Sequence, residues 1–303
     1  MIKVRDVAFV RFAAPDLGLM ERFLVDFGLA VSARDGERLY VRGTDPSPWV
    51  HVTERGEPGF RGLAFEADSA SDLERAAAIE GASPIAPLDE PGGGHRVRFT
   101  DPDGFGVEVV HGRTPAQALP VHGAATLNRG SARARYGHLQ RLTAGPAAVK
   151  RLGHVVLQVT DFRRSEAWYK SRFGLLTSDE VYVGDPDYVV TAFMRCDRGA
   201  AYTDHHTLLC VGLGQPRFDH AAFEVEDVDA VMLGHDHLAR AGWRHRSGVG
   251  RHLLGSQVFD YWQDPWGHVV EHFTDGDLLN ADHPTGQYEP EVALGTQWGS
   301  FAP

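Results

Sequence analysis

The sequence predicts an α+β protein made of two tandem modules, each built from paired βαβββ units. Three pairs of segments recur in the same order with matching letters: 6–10 with 154–158, 62–67 with 220–225, and 101–108 with 264–271. Such self-similarity indicates a duplicated unit. Around the repeats, short β-branched runs alternate with amphipathic stretches, which is typical of mixed α and β structure.

The repeats divide the 303 residues into three parts. We expect a first module over 1–112, a connector over 113–150, and a second module with a C-terminal tail over 151–303. The length agrees with two domains of about 150 residues each. The connector is rich in Ala, Gly and Arg, which predicts an irregular segment with one short helix.

The elements are clearest in the second module. A β-branched run predicts a strand over 154–159, and apolar residues at helical spacing predict a helix over 162–172, capped by Asp161 or Thr160. The same criteria predict the remaining elements: strands over 179–184, 188–195, 206–213 and 218–225, a helix over 227–241, and strands near 257–262 and 267–273. The first module repeats this order in shortened form.

Composition and charge argue against several functional classes. Lys plus Arg is 30 and Asp plus Glu is 41, so the net charge of −11 lacks the basic footprint of a nucleic-acid binder. No apolar run reaches the ~18 residues of a membrane span, and the N-terminus shows no export signal. Two cysteines cannot form a disulfide framework, so we expect a reducing, cytoplasmic location.

Three residues of the second module form a candidate metal site. His154 opens one predicted strand, His220 opens another, and Glu271 lies in a third. Two imidazoles and one carboxylate on one face are a common ligand set for Fe(II), and they leave positions open for substrate and O₂. Ligands on neighbouring strands would converge in this way.

The first module provides an internal control. At the positions that the repeats align with the candidate ligands, it has Asp6, Gly62 and Glu108. Both imidazoles are absent and glycine has no ligating side chain, so we expect this module to be metal-free, with Glu108 in a polar contact.

The most specific motif lies in 250–271, GRHLLGSQVFDYWQDPWGHVVE, which contains Gly-x-His, then Tyr, then Pro-x-Gly and Glu. With this motif and its two modules, nearly the whole chain resembles the type I extradiol ring-cleaving dioxygenases of the vicinal oxygen chelate superfamily. Asp260 departs from the family pattern, which has an aliphatic residue or Phe before the tyrosine, and this leaves the substrate open.

The resemblance implies two tandem vicinal-oxygen-chelate modules and an enzyme of aromatic-compound degradation. Its reaction would insert O₂ into a catechol-type ring next to the two hydroxyl carbons and open the ring. The implied cofactor is Fe(II), or Mn(II) on the same ligands, bound by His154, His220 and Glu271. The implied partners are the aromatic substrate, O₂ and further copies of the chain in a homo-oligomer.

The resemblance also implies catalytic residues. His206 would lie beside O₂ and act as an acid or base, and we favour it over its neighbour His205 because it adjoins the predicted strand. His252 and Tyr261 would lie beside the substrate hydroxyls. A positioned Tyr or His can accept or share a catechol proton.

Two other classes are weighed against ring cleavage. A metal-dependent isomerase or lyase of the glyoxalase kind would take ligands from both modules, which the first module does not offer. A non-enzymatic protein that binds a small aromatic would not require the full set of histidines, tyrosine and glutamate.

The remaining polar and aromatic residues receive structural interpretations. We expect His235 and His237 on a helix surface, His268 and His272 facing away from Glu271, Arg195 in solvent, and Trp262 or Trp266 beside the pocket.

Overall fold

A computed structural model describes residues 1–121 and 126–301. The first module contains ten elements in paired βαβββ order: β1 (Val4–Ala14), α1 (Leu17–Asp26), β2 (Ala30–Arg34), β3 (Arg38–Arg42), β4 (His51–Arg55), β5 (Gly59–Ala67), α2 (Ala70–Ala77), β6 (Ala86–Pro87), β7 (His95–Thr100) and β8 (Gly106–His111). They form one sheet in the order β2-β3-β4-β1-β5-β8-β7-β6. The two halves of the module meet at the antiparallel pair β1–β5.

The second module repeats this plan and extends it. Its elements are β9 (Val149–Val159), α3 (Phe162–Phe173), β10 (Leu175–Tyr182), β11 (Val189–Cys196), β12 (Thr203–Asp204), β13 (Leu208–Gly212), β14 (Arg217–Val225), α4 (Val228–Ala241), β15 (Arg244–His252), β16 (Val258–Gln263), β17 (Val269–Thr274), β18 (Leu278–Leu279), β19 (Gly286–Tyr288), α5 (Pro290–Ala293) and β20 (Thr296–Gly299). The main sheet runs β19-β10-β11-β13-β9-β14-β17-β16-β15-β20, and β12 pairs with β18. The predicted fold class, α+β in two modules of paired βαβββ units, is confirmed.

Helices lie between the two sheets. Phe27, directly after α1, packs edge-on against Phe223 of β14 with ring centroids 5.6 Å apart. Reciprocally, Phe173 of α3 lies 5.2 Å from Phe65 of β5. One cluster of buried apolar residues therefore spans both modules. In the second module, the face of the sheet that points away from the helices forms a pocket.

Local sequence explains the ends of the main helices. Asp161, one of the two predicted caps, accepts a hydrogen bond from the backbone N–H of Arg164 and begins α3. The helix ends at Gly174, whose φ of 67° is the left-handed conformation that glycine adopts without a Cβ clash. Asp227 begins α4 by accepting from the N–H of Ala230, and Gly242 ends it in the same way.

Two element predictions were wrong. Strand β15 was not expected, because its sequence RHRSGVGRH has no apolar alternation and its first three residues are exposed. The short helix expected in the connector is not found in the described part of 113–150, which excludes 122–125. Across the described ranges, no helix is long and apolar enough to cross a membrane.

Strand register corrects the alignment of the two modules. Ala222 of β14 lies opposite His154, and its counterpart Ala64 of β5 lies opposite Phe9. The two alanines are equivalent because Ala222 also pairs with Glu271 and Ala64 with Glu108, the two glutamates that the sequence repeat aligns. Phe9, and not Asp6 as predicted, therefore occupies the position of His154 in the first module.

The C-terminal tail adds one strand to each edge of the second sheet. β19 pairs in parallel with β10 at one edge, and β20 pairs with β15 at the other. Between them, α5 and the following residues pass over the open face of the sheet, where Pro290, Ala293 and Leu294 line a cavity.

Candidate metal centre and substrate pocket

The three predicted ligands converge around one small residue, Ala222. His154 lies opposite Ala222 across the antiparallel β9–β14 pair, and Glu271 lies beside it in the parallel β14–β17 pair. His220 is two residues before Ala222, so its side chain emerges on the same face of the sheet. Strand pairing therefore holds all three side chains on rigid elements.

The donor atoms are within coordinating reach of one another. The Nε2 atoms of His154 and His220 each lie 3.3 Å from Oε2 of Glu271, and the donor atoms of all three residues fall within 4.8 Å. Glu271 is fully buried, yet neither carboxylate oxygen accepts a hydrogen bond from the described residues. A buried carboxylate without hydrogen bonds is costly unless it is paired or binds a cation. The trio therefore fits a divalent metal.

The electrostatics of the trio are strongly coupled. Burial raises the pKa of Glu271, but the facing imidazoles outweigh burial and hold that pKa well below its usual range. Burial lowers the pKa of His154. At His220 burial also lowers the pKa, but hydrogen bonding to Asp219 and the charge of Glu271 outweigh it and raise the pKa to about 9. Asp219 Oδ1 lies 2.7 Å from His220 Nδ1, so it orients the ring with Nε2 toward Glu271.

A hydrogen-bonded chain that begins at His206, beside the trio, leads to a residue that sequence reasoning missed. The ring of His206 lies 4.0 Å from that of His154, and its Nδ1 lies 3.1 Å from Nδ1 of His205. The Nε2 of His205 is 2.7 Å from Oδ2 of Asp179. Both histidines are buried, and burial together with the neighbouring imidazoles holds the pKa of His206 well below its ordinary value. Nothing in the sequence marks Asp179, because it lies 26 residues from His205 on β10.

His252 and Tyr261 meet on the other side of the trio. His252 Nε2 and the Tyr261 hydroxyl are 3.0 Å apart, and Tyr261 pairs directly with Glu271 across the β16–β17 ladder. Burial, which outweighs the nearby charge of Glu271, lowers the pKa of His252 to about 4. Burial and the charge of Glu271 raise the pKa of Tyr261 well above its ordinary value. Tyr261 is therefore a neutral phenol beside a neutral imidazole at pH 7.

A cavity of about 530 Å³ lies directly above these residues. Its polar lining is the trio's two histidines with His206, His252, Tyr261, Gln158, Thr191, Asp219 and Gln257, and its apolar lining is Val156, Val181, Val183, Val190, Phe193, Leu209, Val211, Leu213, Leu254, Pro290, Ala293, Leu294 and Phe301. Lys and Arg are absent from the lining within the described ranges. The size and the mostly apolar wall with a few convergent polar groups are typical of a small-molecule site.

Phe301 is a second residue that the sequence did not single out. Its ring lies 5.4 Å from that of His252 and 5.6 Å from that of Tyr261. The tail therefore contributes to the wall beside both predicted catalytic residues.

The equivalent face of the first module has a different chemistry. Phe9 and Trp49 stand where the second module has His154 and His206, with ring centroids 4.1 Å apart. Arg11 Nε binds Glu108 at 2.6 Å, and the Arg11 guanidinium also holds Glu90 at 2.7 Å. Glu108 is thus neutralised by an arginine, in the polar contact that we expected.

The predictions for Trp262 beside the pocket and for Arg195 in solvent need correction. Asp260, which departs from the family pattern, pairs with His272 on the helix-facing side of the sheet, opposite to Tyr261. Trp262 also lies on that side, fully buried. Arg195 is not in solvent: it is 1% exposed, and its guanidinium donates to the carbonyl oxygens of Thr177, Asn280 and His283.

The remaining histidines agree with their predictions only in part. His272 faces away from Glu271 as expected, buried in a stack 3.9 Å from Phe27. His268 bonds to Asp264 at 2.7 Å. His235 and His237 are only partly exposed. His235 contacts the carboxylate of Asp260, and His237 contacts that of Asp26.

Comparisons with known proteins agree with this geometry. The family model of the Glyoxalase/Bleomycin resistance protein/Dioxygenase superfamily matches residues 151–272. Metapyrocatechase 2 of Cupriavidus necator is 33% identical, covering 99% of this chain and 90% of that protein. An iron-dependent extradiol dioxygenase of Rhodococcus jostii (strain RHA1) is 25% identical, covering 98% and 97% of the two chains. The Mn(II)-bound glyoxalase from Novosphingobium aromaticivorans superposes with a TM-score of 0.80 at 24% identity over 99% of this chain and 92% of that one, which shows the fold alone.

Proposed function

Since the chain belongs to the extradiol dioxygenases of the glyoxalase/bleomycin resistance protein/dioxygenase superfamily, we propose that it opens catechol-type rings that carry an uncharged, apolar substituent. The reaction inserts O₂ next to the two hydroxyl carbons. The observation that carries the proposal is the buried carboxylate of Glu271, which has no hydrogen bonds from the described residues and is faced by two imidazoles that line an apolar cavity.

The proposed metal ligands are His154, His220 and Glu271. Two imidazole nitrogens and one carboxylate oxygen suit Fe(II), and Mn(II) takes the same set. Support for iron comes from the name of the Rhodococcus relative, and support for manganese from that of a 25% identical relative, the manganese-dependent 2,3-dihydroxybiphenyl 1,2-dioxygenase of Geobacillus genomosp. 3. When bound, the ion would bring both catechol oxygens and O₂ together and lower the pKa of the substrate hydroxyls.

We assign Tyr261 and His252 to the substrate hydroxyls. The phenol of Tyr261 stays protonated, so it can donate to a catechol oxygen, while its bond to His252 at 3.0 Å fixes its direction. His252 is neutral at pH 7 and can accept a proton as the substrate binds.

We assign His206 to the O₂ side of the cavity. Its ring packs on His154 and stays neutral because burial disfavours the charged form. His205 donates its Nε2–H to the carboxylate of Asp179 and accepts at Nδ1 from the Nδ1–H of His206, which leaves Nε2 of His206 free to take a proton. When His206 gains that proton, Asp179 stabilises the positive charge through His205. His206 is then the acid or base, and His205 and Asp179 position it.

The substrate class follows from the cavity wall. A carboxylate on the ring substituent would enter a pocket whose described lining has no Lys or Arg and already contains Asp219. Burying such a charge without a partner is costly, whereas an alkyl or aryl group gains about 25 cal/mol for each Å² of apolar surface that it buries. Uncharged substituents are therefore favoured over acidic ones.

The alternatives receive less support. The 33% identical relative bears a ring-cleaving name, and a glyoxalase-like isomerase is not favoured. A non-enzymatic aromatic-binding protein has no need of the His206–His205–Asp179 chain.

We propose three further properties. The first module, 1–112, is a metal-free support joined through 113–150 to the catalytic module, 151–303. The chain forms homo-oligomers and has no nucleic-acid or membrane partner, which light scattering and lipid and DNA binding assays would test. A cytoplasmic location is supported by the two unpaired cysteines, Cys196 and Cys210.

The experiment that tests the activity measures ring-opened product and O₂ uptake with iron-loaded enzyme. We expect 3-methylcatechol to be cleaved at a kcat/KM at least about tenfold above that of 3,4-dihydroxyphenylacetate, the scale of one uncompensated charge. Absence of O₂ uptake with every catechol would overturn ring cleavage. Equal kcat/KM for both substrates would overturn only the substituent preference.

A further inference from the structure

A second group of metal-ligating side chains lies on the helix-facing side of the catalytic sheet. It consists of His235 on α4, His245 on β15 and Asp260 on β16, and all three donor atoms fall within 4.8 Å of one another. Its strands also carry the proposed catalytic residues, since β15 ends at His252 and Tyr261 follows Asp260. The group is separate from the ring-cleavage trio because Asp260 and Tyr261 point to opposite faces of the sheet.

The donor atoms lie close enough together to share one metal ion. His245 Nε2 lies 2.9 Å from Asp260 Oδ1, and His235 Nδ1 lies 3.1 Å from Oδ2, so both imidazoles hydrogen-bond to the carboxylate. Two donors that share a tetrahedral Zn²⁺ at bond lengths of ~2.0–2.1 Å stand about 3.3 Å apart, the spacing at which both Nε2 atoms of the ring-cleavage trio lie from Glu271. A metal ion in the second group would therefore move its donors apart by only a few tenths of an ångström.

The surroundings of Asp260 resemble those of a ligating carboxylate. Its side chain is fully buried, and Trp262 Nε1 donates to Oδ2 at 2.6 Å, a bond that would orient the carboxylate toward an ion. Gly248 leaves room beside it: φ is 122°, and a Cβ there would lie 2.9 Å from Asp260 Oδ1. The imidazoles of His235 and His245 are 28% and 33% exposed, so water can complete the coordination.

We propose that His235, His245 and Asp260 form a second divalent-metal site, of the Zn²⁺ class, that ties α4 to β15 and β16. Two imidazoles, one carboxylate and water are a common zinc donor set, and zinc binds such sites more tightly than Fe(II) does. The site is structural: it holds together the two strands that present His252 and Tyr261 to the pocket.

The test counts metals in the iron-loaded enzyme after equilibrium dialysis against about 10 µM free Zn²⁺, which fills a site of micromolar Kd. Elemental analysis should give a total of two metals per wild-type chain, counted as iron plus zinc, so that exchange of iron for zinc at the first site does not change the result. The variant His235→Gln/His245→Gln should hold a total of one metal, because it loses two of the three protein ligands of the second site and binds zinc there more than about 100-fold more weakly. Zinc should also raise the midpoint of thermal unfolding of the wild type and not of this variant.

The matched control is His237→Gln, on the same helix, whose imidazole contacts Asp26 and lies outside the proposed site. It should bind zinc like the wild type. If the double variant loses its iron through misfolding, the single variant His245→Gln decides, since its side chain is one-third exposed. A total of two metals in the variants that lack these imidazoles, or a total of one metal in the wild type, would overturn the second site and leave the ring-cleavage proposal untouched.

Discussion

The hydrogen-bonded chain Asp179–His205–His206 predicts quantitatively which histidine acts as the acid or base. If His206 is the acid or base, His206→Ala should lower kcat/KM by about 10²–10⁴. His205 acts only through His206, to which it is joined at 3.1 Å, while Asp179 holds it at 2.7 Å. Losing one charge-assisted hydrogen bond costs about 1.5–3 kcal/mol, so His205→Ala should lower kcat/KM by about 10- to 150-fold.

The double variant His205→Ala/His206→Ala tests whether His205 acts through His206. In the His206→Ala background, His205→Ala should change kcat/KM by less than about twofold, because the partner through which it acts is gone. The assay is steady-state catechol cleavage at equal iron content, and all three variants should retain iron because neither histidine is a proposed ligand. The control His51→Ala removes a buried imidazole of the first module and should lower stability without changing kcat/KM. If the fold loss of kcat/KM in the double variant equals the product of the two single losses, His205 does not act through His206.

Three further predictions concern the metal, the tyrosine and the first module. Glu271→Gln removes the buried charge between the two imidazoles, so iron per chain measured by elemental analysis should fall from one to nearly zero; retention of iron would exclude Glu271 as a ligand. Tyr261→Phe deletes the oxygen that contacts His252 at 3.0 Å, and kcat/KM should drop about tenfold to a hundredfold at unchanged iron content, whereas equal values would reduce Tyr261 to a packing residue. Arg11→Leu removes the nearer of the two guanidinium groups that Glu90 and Glu108 share and leaves them Arg96, which lies 3.2 Å from Glu108, so we expect denaturant unfolding to report a loss of about 1.5–3 kcal/mol with iron binding kept; a loss under about 1 kcal/mol would mean that these carboxylates are not held by Arg11.

Several features of the molecule were accessible from the sequence because they are local or periodic. The repeated segments predicted two modules of paired βαβββ units, and a cap such as Asp161 begins its helix through bonds within a few residues. The period of two along a strand placed Glu271 and His272 on opposite faces, as the structure has them. That His154, His220 and Glu271 bind a metal stays a prediction.

Tertiary structure alone decided which side chains meet across strands. The strand register, and not the sequence repeat, showed that Phe9 is the counterpart of His154, because the pairing of two strands cannot be recognised from the sequence alone. The same holds for Asp179, which reaches His205 only because its strand lies two places from the one that follows the histidines.

The side chain of Asp260 is the clearest example of a contact that the sequence alone does not predict. The motif identified it only as a departure from the family pattern, whereas the structure shows that its side chain faces α4, where it contacts His235 and His245 from other elements. Phe301 likewise reaches the pocket because the tail crosses the sheet from one edge to the other. Hydrophobic period and capping are short-range properties that a sequence displays directly, whereas contacts between distant segments depend on the packing of the whole sheet against its helices and tail.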